Sequence, residues 1–552
     1  MKIITAQEAA AMVKDGDNIG VVTFGASGTP EEILMEVEKR FLETGHPCDL
    51  GYTHAAGGGS FPANGYGVDG VHYCRAEDHL AGHPGCITRW VASHTACSEV
   101  TAAMIGANKI AAWNLPLGTI LQIYKAQARG ERGCLSNAGL GTFEDARIDS
   151  GALNQLAKDI DAEKRKKGEL CFVNYIPDFY GEEKLYYTGL DLNIGWMRGT
   201  TADEAGNIST EKEPYNLELL TMAQAVRANG GKVFVEVEKI VKVGEINPHM
   251  VKVPGMYVDY VVVSEHPENR ISSTGGYYNP YTTGEARMEI KEDDAKDKAV
   301  PFNYKKVLLR RAAMEIKPNI YANFGLGMPQ SVGGILAEEG VADYLTMVSE
   351  SGCIGGVPRS GVDFGTHINV ESMTDQGDHF NFFEGQGLDL AMFGLGEADA
   401  NGDMNTNILN GSIKGVGGFI NIATGAKKIV VLGTFTAVGM KIDVKDGKLN
   451  IKQDGKYKKF VKQLVQSSFY CKGFVKKNVP VIFITERAVF QATENGLMLT
   501  EIAPGVDLEK DVLGQMEFKP LIAEGGPKLM PEEIFHENWG GLKEYIDKKY
   551  DL

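Results

Sequence analysis

Ala202-Asp203-Glu204-Ala205-Gly206-Asn207-Ile208-Ser209-Thr210 recurs later in the same chain as Ala398-Asp399-Ala400-Asn401-Gly402-Asp403-Met404-Asn405-Thr406. Gly-Leu-Asp-Leu precedes both copies, at 189–192 and at 387–390. The strand-like runs at 232–237 and 428–433 keep the same register, since 202 to 398 and 232 to 428 are both steps of 196 residues. Chance similarities rarely hold their register in this way, so the pattern indicates an internal duplication.

Two further landmarks show where the copies differ in length. Phe24-Gly25-Ala26-Ser27-Gly28-Thr29-Pro30 corresponds to Phe324-Gly325-Leu326-Gly327-Met328-Pro329, and here the step has grown to 300 residues. Strand-like apolar runs alternate with helix-like stretches in both halves; the runs are 19–22, 258–263, 429–432 and 481–484, and the stretches are 30–42 and 304–315. This alternation predicts an α/β fold of two homologous domains with mainly parallel sheets.

Chain length and local charge suggest where the domains divide. A chain of 552 residues exceeds what one hydrophobic core usually holds. Residues 284–300 are mostly charged and weakly apolar, as an exposed connector would be. We therefore predict an N-terminal domain at 1–286, a charged linker at 287–300 and a C-terminal domain at 301–552. Ligands of open α/β sheets bind at the carboxyl ends of strands, so we expect an active-site cleft between the domains.

Composition excludes several classes of function. The formal net charge of -17 argues against general nucleic-acid binding, which needs a basic surface. The sequence contains no run of about 20 apolar residues and does not begin like a secretory signal, so we expect a cytoplasmic protein without a membrane partner. The 8 cysteines form no Cys-x-x-Cys pair, and we expect reduced thiols. The 67 glycines, about 12% against a usual 7%, indicate many tight turns and glycine-lined loops.

One segment of the second half combines a carboxylate with glycine-rich backbone. In Met347-Val348-Ser349-Glu350-Ser351-Gly352-Cys353-Ile354-Gly355-Gly356-Val357-Pro358, Glu350 follows a short apolar run. Glutamate can act as a covalent nucleophile in acyl transfer, and Gly352, Gly355 and Gly356 would leave room and backbone N–H groups for an anionic substrate oxygen. The residues alone equally allow an ordinary surface or helix-capping glutamate in a tight loop.

The glutamate segment resembles the signature of the family I coenzyme A transferases, which carry Ser-Glu-Asn-Gly or Val-Glu-Ser-Gly before a glycine run. Other motifs of that family are also present: Asp15-Gly16 with Gly25-Ala26-Ser27-Gly28-Thr29-Pro30, Asn114-Leu115-Pro116, Gly139-Leu140-Gly141-Thr142-Phe143, Gly325-Leu326-Gly327-Met328-Pro329, Gly415-Val416-Gly417-Gly418-Phe419-Ile420-Asn421-Ile422 and Gly433-Thr434-Phe435-Thr436. The resemblance covers nearly the whole chain. It is greatest to the fused, single-chain members similar to acetate or propionate CoA-transferases.

This resemblance implies a function and roles for particular residues. Glu350 would become acylated and then carry CoA as a glutamyl thioester, in a ping-pong transfer from a short-chain acyl-CoA to a carboxylate. The backbone of Gly417 and Gly418 would stabilise the oxyanion, and Gly325 and Gly327 would face the pantetheine end of CoA. Coenzyme A would be a substrate, with no cofactor and no metal, in a homo-oligomer (dimer or tetramer).

Two departures from the family pattern concern substrate-side hydrogen bonds. Ser351 stands where many members have Asn, and Leu117 follows Asn-Leu-Pro where many have Gln.

Alternative functions and sites remain open. On the same fold, an acyl-CoA hydrolase would let water resolve the intermediate, and a non-catalytic sensor would only bind CoA esters or sugar phosphates. Histidines at 72, 79 and 83 with Cys74 suggest a metal site, but Gly82 and Pro84 would break the helix that aligns His79 with His83. Cys353 lacks a neighbouring histidine in its motif, which favours a passive thiol over a nucleophile.

Overall fold

The computed structural model describes residues 1–25, 27–59, 76–267, 278–289, 300–360 and 363–551. Its chain divides into two compact units. The first unit contains Met1–Arg287, Ser349–Asn381 and Asn410–Asn421, and the second contains Met288–Val348, Phe382–Leu409 and Ile422–Leu552.

The first unit is built on an eight-stranded sheet in which every neighbouring pair is parallel. In spatial order the strands are Lys2–Ile4, Tyr260–Val263, Lys232–Val237, Ile194–Arg198, Asn18–Val21, Leu50–Thr53, Ile87–Ala92 and Ala111–Asn114. The helices of this unit are Ala6–Met12, Glu31–Thr44, Asp78–Ala81, Glu99–Gly106, Leu117–Ala128, Gln155–Lys166, Leu219–Ala228 and Pro280–Thr283, with 3-10 turns at Pro248–Met250 and Gly255–Tyr257.

The other strands in the described part of the first unit are Gly133–Ser136, Val173–Phe179, Glu182–Thr188, Thr201–Asp203, Ile208–Ser209, Lys239–Val241, Cys353–Ile354, Val357–Pro358, His367–Ile368, Ser372–Met373 and Ser412–Ile413. The inner strands are buried along most of their length, as parallel strands covered on both faces must be. Trp90, Trp113 and Trp196 fill the largest volumes in this core. The sequence accounts for part of this burial, because the inner strands carry apolar residues such as Ile19, Tyr52 and Trp196 beside small glycines.

The second unit is built on a nine-stranded mixed sheet. In spatial order its main path is Leu345–Met347, Ile320–Phe324, Leu390–Gly394, Ile429–Leu432, Val481–Ile484, Ala488–Thr493, Gly496–Ile502 and Leu521–Ile522, and Lys528–Leu529 also pairs with Gly496–Ile502. The first five strands are parallel, and the next two run antiparallel to their predecessors. The predicted mainly parallel α/β architecture is therefore confirmed in both units.

Helices and short strands surround the second sheet. The helices are Tyr304–Ala313, Val332–Glu338, Cys471–Lys476 and Leu542–Tyr550, with shorter 3-10 or π turns at Pro329–Ser331, Ala342–Tyr344, Leu508–Val512, Leu513–Gln515 and Glu532–Phe535. The remaining strands in the described part of this unit are Glu397–Ala398, Met404–Asn405, Ile408–Leu409, Thr436–Ala437, Lys441–Lys445, Lys448–Gln453 and Tyr457–Lys458. Two helices, Gln376–Glu384 and Phe419–Gly425, begin in segments of the first unit and end in segments of the second.

The duplication read from the sequence is present in the backbone. Lys232 pairs with Ile194 and Ile429 pairs with Ala391, so parallel partners stand 38 residues apart in both sheets. The repeated turn pairs Ala202 with Ile208 in one copy and Ala398 with Met404 in the other. In each copy one aspartate, Asp203 or Asp399, accepts two backbone N–H groups from the turn that follows it. The same Asx-turn chemistry therefore closes both hairpins.

The compact units do not follow the predicted boundary along the sequence. Ser349–Asn381, which carries Glu350, groups with the N-terminal residues because its groups bond there: the Cys353 thiol donates to Pro214 O (3.6 Å) and Gln376 N–H donates to Leu217 O (3.1 Å). Most of the predicted linker 287–300 lies outside the described residues, so that division stays a prediction.

Within the described part of the chain, no helix has both the length and the apolar character needed to cross a bilayer.

Candidate active site

Glu350 lies in a tight turn that only glycine can close. Gly352 N–H donates to Ser349 O (3.0 Å), and Ser349 N–H donates to Cys353 O (2.9 Å). Gly352 adopts φ +99°, and a Cβ there would lie 2.4 Å from Thr374 O. A side chain at 352 would therefore collide with backbone, which explains the glycine two residues after the glutamate.

The carboxylate of Glu350 is buried against a backbone amide. Gly418 N–H donates to Glu350 Oε2 (3.1 Å), and the residue is 9% exposed. Burial raises the pKa of Glu350 from 4.5 to about 7, and the Gly418 N–H opposes that shift by stabilising the charged form. At neutral pH the group is therefore a partly ionised carboxylate in a desolvated setting, with a hydrogen-bond donor aimed at one oxygen.

The two glycines predicted as oxyanion donors have different partners. Gly417 N–H donates to Ser93 O (2.9 Å), as does Val416 N–H (3.0 Å). The structure thus brings Gly418, and not Gly417, to the Glu350 carboxylate. Gly417 instead bends the backbone: its φ is +57°, and the next N–H, that of Gly418, turns toward Glu350.

Gln376 and Asn421 hold the site in place, and sequence reasoning singled out neither side chain. Gln376 is buried, and its Nε2 donates to the backbone carbonyl of Glu350 (3.0 Å). Asn421 Oδ1 accepts from Gly118 N–H (2.9 Å), and its Nδ2 donates to Thr119 Oγ1 (3.2 Å). The first turn of helix Leu117–Ala128, which follows Asn-Leu-Pro, thus anchors Asn421. Asn421 belongs to the family motif at 415–422, so the sequence offered a signal for it. Gln376 lies in none of the motifs named above.

The serines that flank Glu350 bond to their own loop. Ser349 Oγ contacts His367 Nε2 (2.6 Å), while His367 Nδ1 contacts Gly355 O (2.6 Å). The carbonyl requires a proton on Nδ1, so Nε2 accepts from the Ser349 hydroxyl, and burial lowers the pKa of His367 to about 4. Ser351 Oγ donates to Gly365 O (2.6 Å). The serine that replaces the Asn of many family members therefore stabilises the loop.

The other glycines named from the sequence lie in tight backbone. Gly355 and Gly356 both have φ +70° and pack against 368–371, on the carboxyl-terminal side of the glutamate turn. In the second unit, Gly325 N–H donates to Met392 O (2.9 Å), and Gly327 has φ +89° just after strand Ile320–Phe324. Their proposed contacts with CoA stay predictions.

Cys353 has the environment of a passive thiol. It is fully buried, and burial raises the pKa of its thiol to about 12. A thiol that stays protonated is a poor nucleophile. The geometry thus favours Glu350 over Cys353 as the reactive group.

The histidines set aside as a metal site bind carboxylates. Helix Asp78–Ala81 ends before His83, and both His79 Nδ1 (2.6 Å) and His83 Nε2 (2.8 Å) contact Glu38, while His72 and Cys74 lie outside the described residues.

Elsewhere, exposed Asp15 and His46 with Cys48 place three potential ligand atoms within 4.8 Å of one another, and Asp15 already bonds His46 Nδ1 (2.8 Å) and Cys48 N–H (2.9 Å).

Sequence comparisons with known proteins identify the relatives of this chain. The model of the coenzyme A transferase family matches residues 80–264. Caffeate CoA-transferase of Acetobacterium woodii is 35% identical over 552 residues, covering 99% of this chain and all of that one. Acetate CoA-transferase YdiF of Escherichia coli K12 is 34% identical over 538 residues, covering 97% and 95% of the two chains.

Solved structures extend the similarity to the whole fold. The apoenzyme of the acyl-CoA transferase YdiF from Escherichia coli O157:H7 superposes with a TM-score of 0.87 at 32% identity, covering 98% of this chain and 97% of that one. A thioester complex of that enzyme with CoA gives a TM-score of 0.86 at the same identity and coverage. The chain therefore belongs to the coenzyme A transferase family and is itself a CoA-transferase.

Proposed function

We propose that this CoA-transferase moves CoA from a short-chain acyl-CoA to a carboxylate acceptor, such as acetate or propionate, by a ping-pong mechanism with Glu350 as the covalent nucleophile. The observation that carries the proposal is the desolvated Glu350 carboxylate with Gly418 N–H 3.1 Å from its Oε2. Two successive acyl transfers need a nucleophilic oxygen and a fixed hydrogen-bond donor on the same carboxyl group.

The first half-reaction loads CoA onto the enzyme. A Glu350 oxygen attacks the thioester carbonyl, the carbon–sulfur bond breaks, and CoA leaves as the thiolate, giving an acyl-glutamyl anhydride. The thiolate then attacks the glutamyl carbonyl, the anhydride bond breaks, and the free carboxylate of the first substrate departs. Glu350 is left as the CoA thioester.

The second half-reaction reverses these steps on a new acid. The acceptor carboxylate attacks the glutamyl thioester, releasing the thiolate and forming a new anhydride, and the thiolate then attacks the acceptor's carbonyl carbon. The products are the new acyl-CoA and the original carboxylate of Glu350. The energy of the thioester bond is carried over, so the scheme needs no ATP, metal or redox cofactor.

The environment of Glu350 suits both of its tasks. A pKa of about 7 makes the carboxylate more basic than an exposed glutamate, and therefore a better nucleophile, while a large fraction stays ionised near neutral pH. With Oε1 as the attacking atom, Oε2 remains the glutamyl carbonyl oxygen. Gly418 N–H then bonds the oxygen on which negative charge develops when the thiolate attacks, and losing one such donor typically costs ~10²–10³ in rate.

The acceptor acid is a separate part of the proposal. Full-length relatives at 34% and 35% identity are named for acetate and caffeate, which differ greatly in size. We propose a small aliphatic acid for this chain, to be tested by comparing kcat/KM for acetate, propionate and caffeate at one fixed acyl-CoA. An advantage of caffeate over both small acids would contradict the assignment.

Kinetics with a Glu350→Gln variant test the function itself. The wild type should give parallel lines in double-reciprocal plots when acyl-CoA and acetate are varied, and Glu350→Gln should lose transfer while keeping its folded structure. Thiol release without an acceptor decides the hydrolase alternative: it should stay far below transfer with acetate present. A sensor would predict that the wild type binds CoA esters without any transfer.

Three associated features of the protein are part of the proposal. We place the enzyme in the cytoplasm, where the free thiols of the seven described cysteines would stay reduced. We expect a homodimer or homotetramer, measurable by light scattering coupled to gel filtration. We also expect full activity after dialysis against a chelator.

A further inference from the structure

Residues 93–95 form the platform on which residues 414–418, here called the oxyanion loop, rest. They follow strand Ile87–Ala92 at the carboxyl edge of the first sheet. His94 and Gly415 form an antiparallel bridge, Thr95 N–H donates to Lys414 O (2.9 Å), and Ser93 O accepts from Val416 and Gly417. The backbone position of Gly418 is therefore set from this short segment.

Both ring nitrogens of His94 face backbone donors. Gly57 N–H donates to Nε2 (2.9 Å), and Ala96 N–H approaches Nδ1 (3.2 Å). The doubly protonated ring would place an N–H against both backbone donors, whereas the neutral imidazole keeps one nitrogen as an acceptor, and Nε2 with the shorter contact accepts from Gly57. Part of His94 reaches solvent, but the ring is desolvated, and this lowers the pKa of His94 to about 4. Two charged groups also act on the ring: His54 lowers its pKa and Glu77 raises it.

The His94 ring fills the space between two glycine loops. A Cβ at Gly57 would lie 2.1 Å from His94 Cε1, and a Cβ at Gly417 would lie 3.4 Å from His94 Cδ2. The imidazole thus lies against the Gly57 backbone and leaves room on its other side for no more than a Cβ at Gly417. Its size and its hydrogen bond together fix the separation between the Gly57 loop and the Gly417 loop.

We propose that His94 is a positioning residue of the transferase reaction: its neutral imidazole, bonded to Gly57 and facing Gly417, holds the segment that bridges to Gly415 and so aims Gly418 N–H at the Glu350 carboxyl group. The inference rests on the proposed role of Glu350. It assigns His94 no contact with substrate and no proton transfer.

Substitutions at His94 separate its size from its acceptor. His94→Gln keeps an acceptor within reach of Gly57, His94→Leu keeps much of the volume without an acceptor, and His94→Ala removes both. Because a misplacement of about 1 Å can cost ~10²-fold in rate, Ala and Leu should lower kcat by about 10² with little change in KM. The Gln variant should recover activity to within about tenfold of wild type. Exposed His46 provides a matched control, and His46→Ala should keep wild-type kinetics.

A pH profile distinguishes positioning from a general loss of structure. Losing the Gly418 hydrogen bond removes the interaction that lowers the pKa of Glu350, so the acid limb of kcat/KM for acyl-CoA should move to higher pH in His94→Ala and His94→Leu. A purely structural role would reduce the number of active sites and leave the limb in place. Rates are therefore expressed per site trapped as enzyme–CoA thioester.

Each outcome decides the inference. Wild-type kcat per site and an unmoved limb in His94→Ala, with Glu350→Gln inactive, would overturn the role of His94 while leaving the proposed function standing. An active Glu350→Gln would refute the proposed function and this inference with it. If His94→Ala fails to fold, the comparison of Leu with Gln decides: equal activity of these two variants contradicts the role of the acceptor.

Discussion

Replacing Gly415 by alanine should disable the oxyanion loop through backbone displacement. A Cβ at 415 would lie 2.2 Å from His94 Cα, 2.6 Å from His94 Cβ and 2.7 Å from Ser93 O. Two of these atoms are backbone and none is the end of a flexible side chain, so the neighbours cannot rotate away. The loop itself must move.

The required movement sets the size of the effect. An ordinary carbon–carbon contact begins near 3.4 Å, so the Gly415 backbone has to retreat by roughly 1 Å from His94 Cα. Gly418 N–H is three residues away and would shift by a similar amount, for which we expect a loss of about 10²-fold in kcat. The φ of +78° adds about 1–2 kcal/mol of backbone strain for any residue with a Cβ.

Gly411→Ala provides a matched control. Gly411 has φ +76°, but a Cβ there would meet nothing within 4 Å. Both variants therefore carry the same left-handed strain, and only Gly415→Ala carries the collision. The assay is steady-state transfer from acetyl-CoA to propionate, with the melting temperature measured in parallel.

Both variants should lose some stability, and only Gly415→Ala should lose turnover. Wild-type kcat in Gly415→Ala would refute this prediction, because the Gly418 amide would then not need its present position. An equal loss of kcat in Gly411→Ala would refute it as well, since strain alone would then account for the effect.

Three further predictions follow from buried titratable groups. The pKa of Glu350 is raised to about 7, and in the proposed mechanism only the ionised form attacks, so kcat/KM for acyl-CoA should fall about tenfold per pH unit below pH 7 and level off above it. The pKa of this carboxyl is higher in the folded than in the unfolded protein, so its ionisation destabilises the fold as pH rises from 4.5 to about 7. In denaturant titrations Glu350→Gln should therefore have the same free energy of unfolding as the wild type at pH 4. At pH 8 its free energy of unfolding should be higher than that of the wild type, by at most about 3 kcal/mol. Cys353→Ala should keep kcat within about threefold of wild type in the same transfer assay, because a thiol with a pKa near 12 supplies no nucleophile.

Much of the fold follows from local patterns that the sequence displays directly. The runs at 429–432 and 481–484 became strands with those limits, and the repeated Asp-containing turn at 203 and 399 adopts the same hairpin in both units. These features depend on side-chain periodicity and turn chemistry within a few residues. Such signals need no knowledge of distant contacts.

The arrangement of the site was less accessible from the sequence. Glu350 stood out because a carboxylate beside glycines is unusual, but its donor, Gly418, lies 68 positions along the chain. Ser93 and His94 are more than 300 residues from the loop that they hold. Residue type at these positions carries no sign of such pairings, since a backbone carbonyl accepts hydrogen bonds whatever its side chain. For the same reason the sequence did not distinguish Gly417 from Gly418.

Direct identification of the covalent intermediate tests the central claim. The enzyme is incubated with acyl-CoA alone, reduced with borohydride, digested and analysed by peptide mass mapping. The side chain at 350, and no other, should be reduced from the thioester to an alcohol. Wild-type protein that was never exposed to acyl-CoA should stay unmodified. Reduction at another residue, or complete turnover without any modified peptide, would contradict the claim.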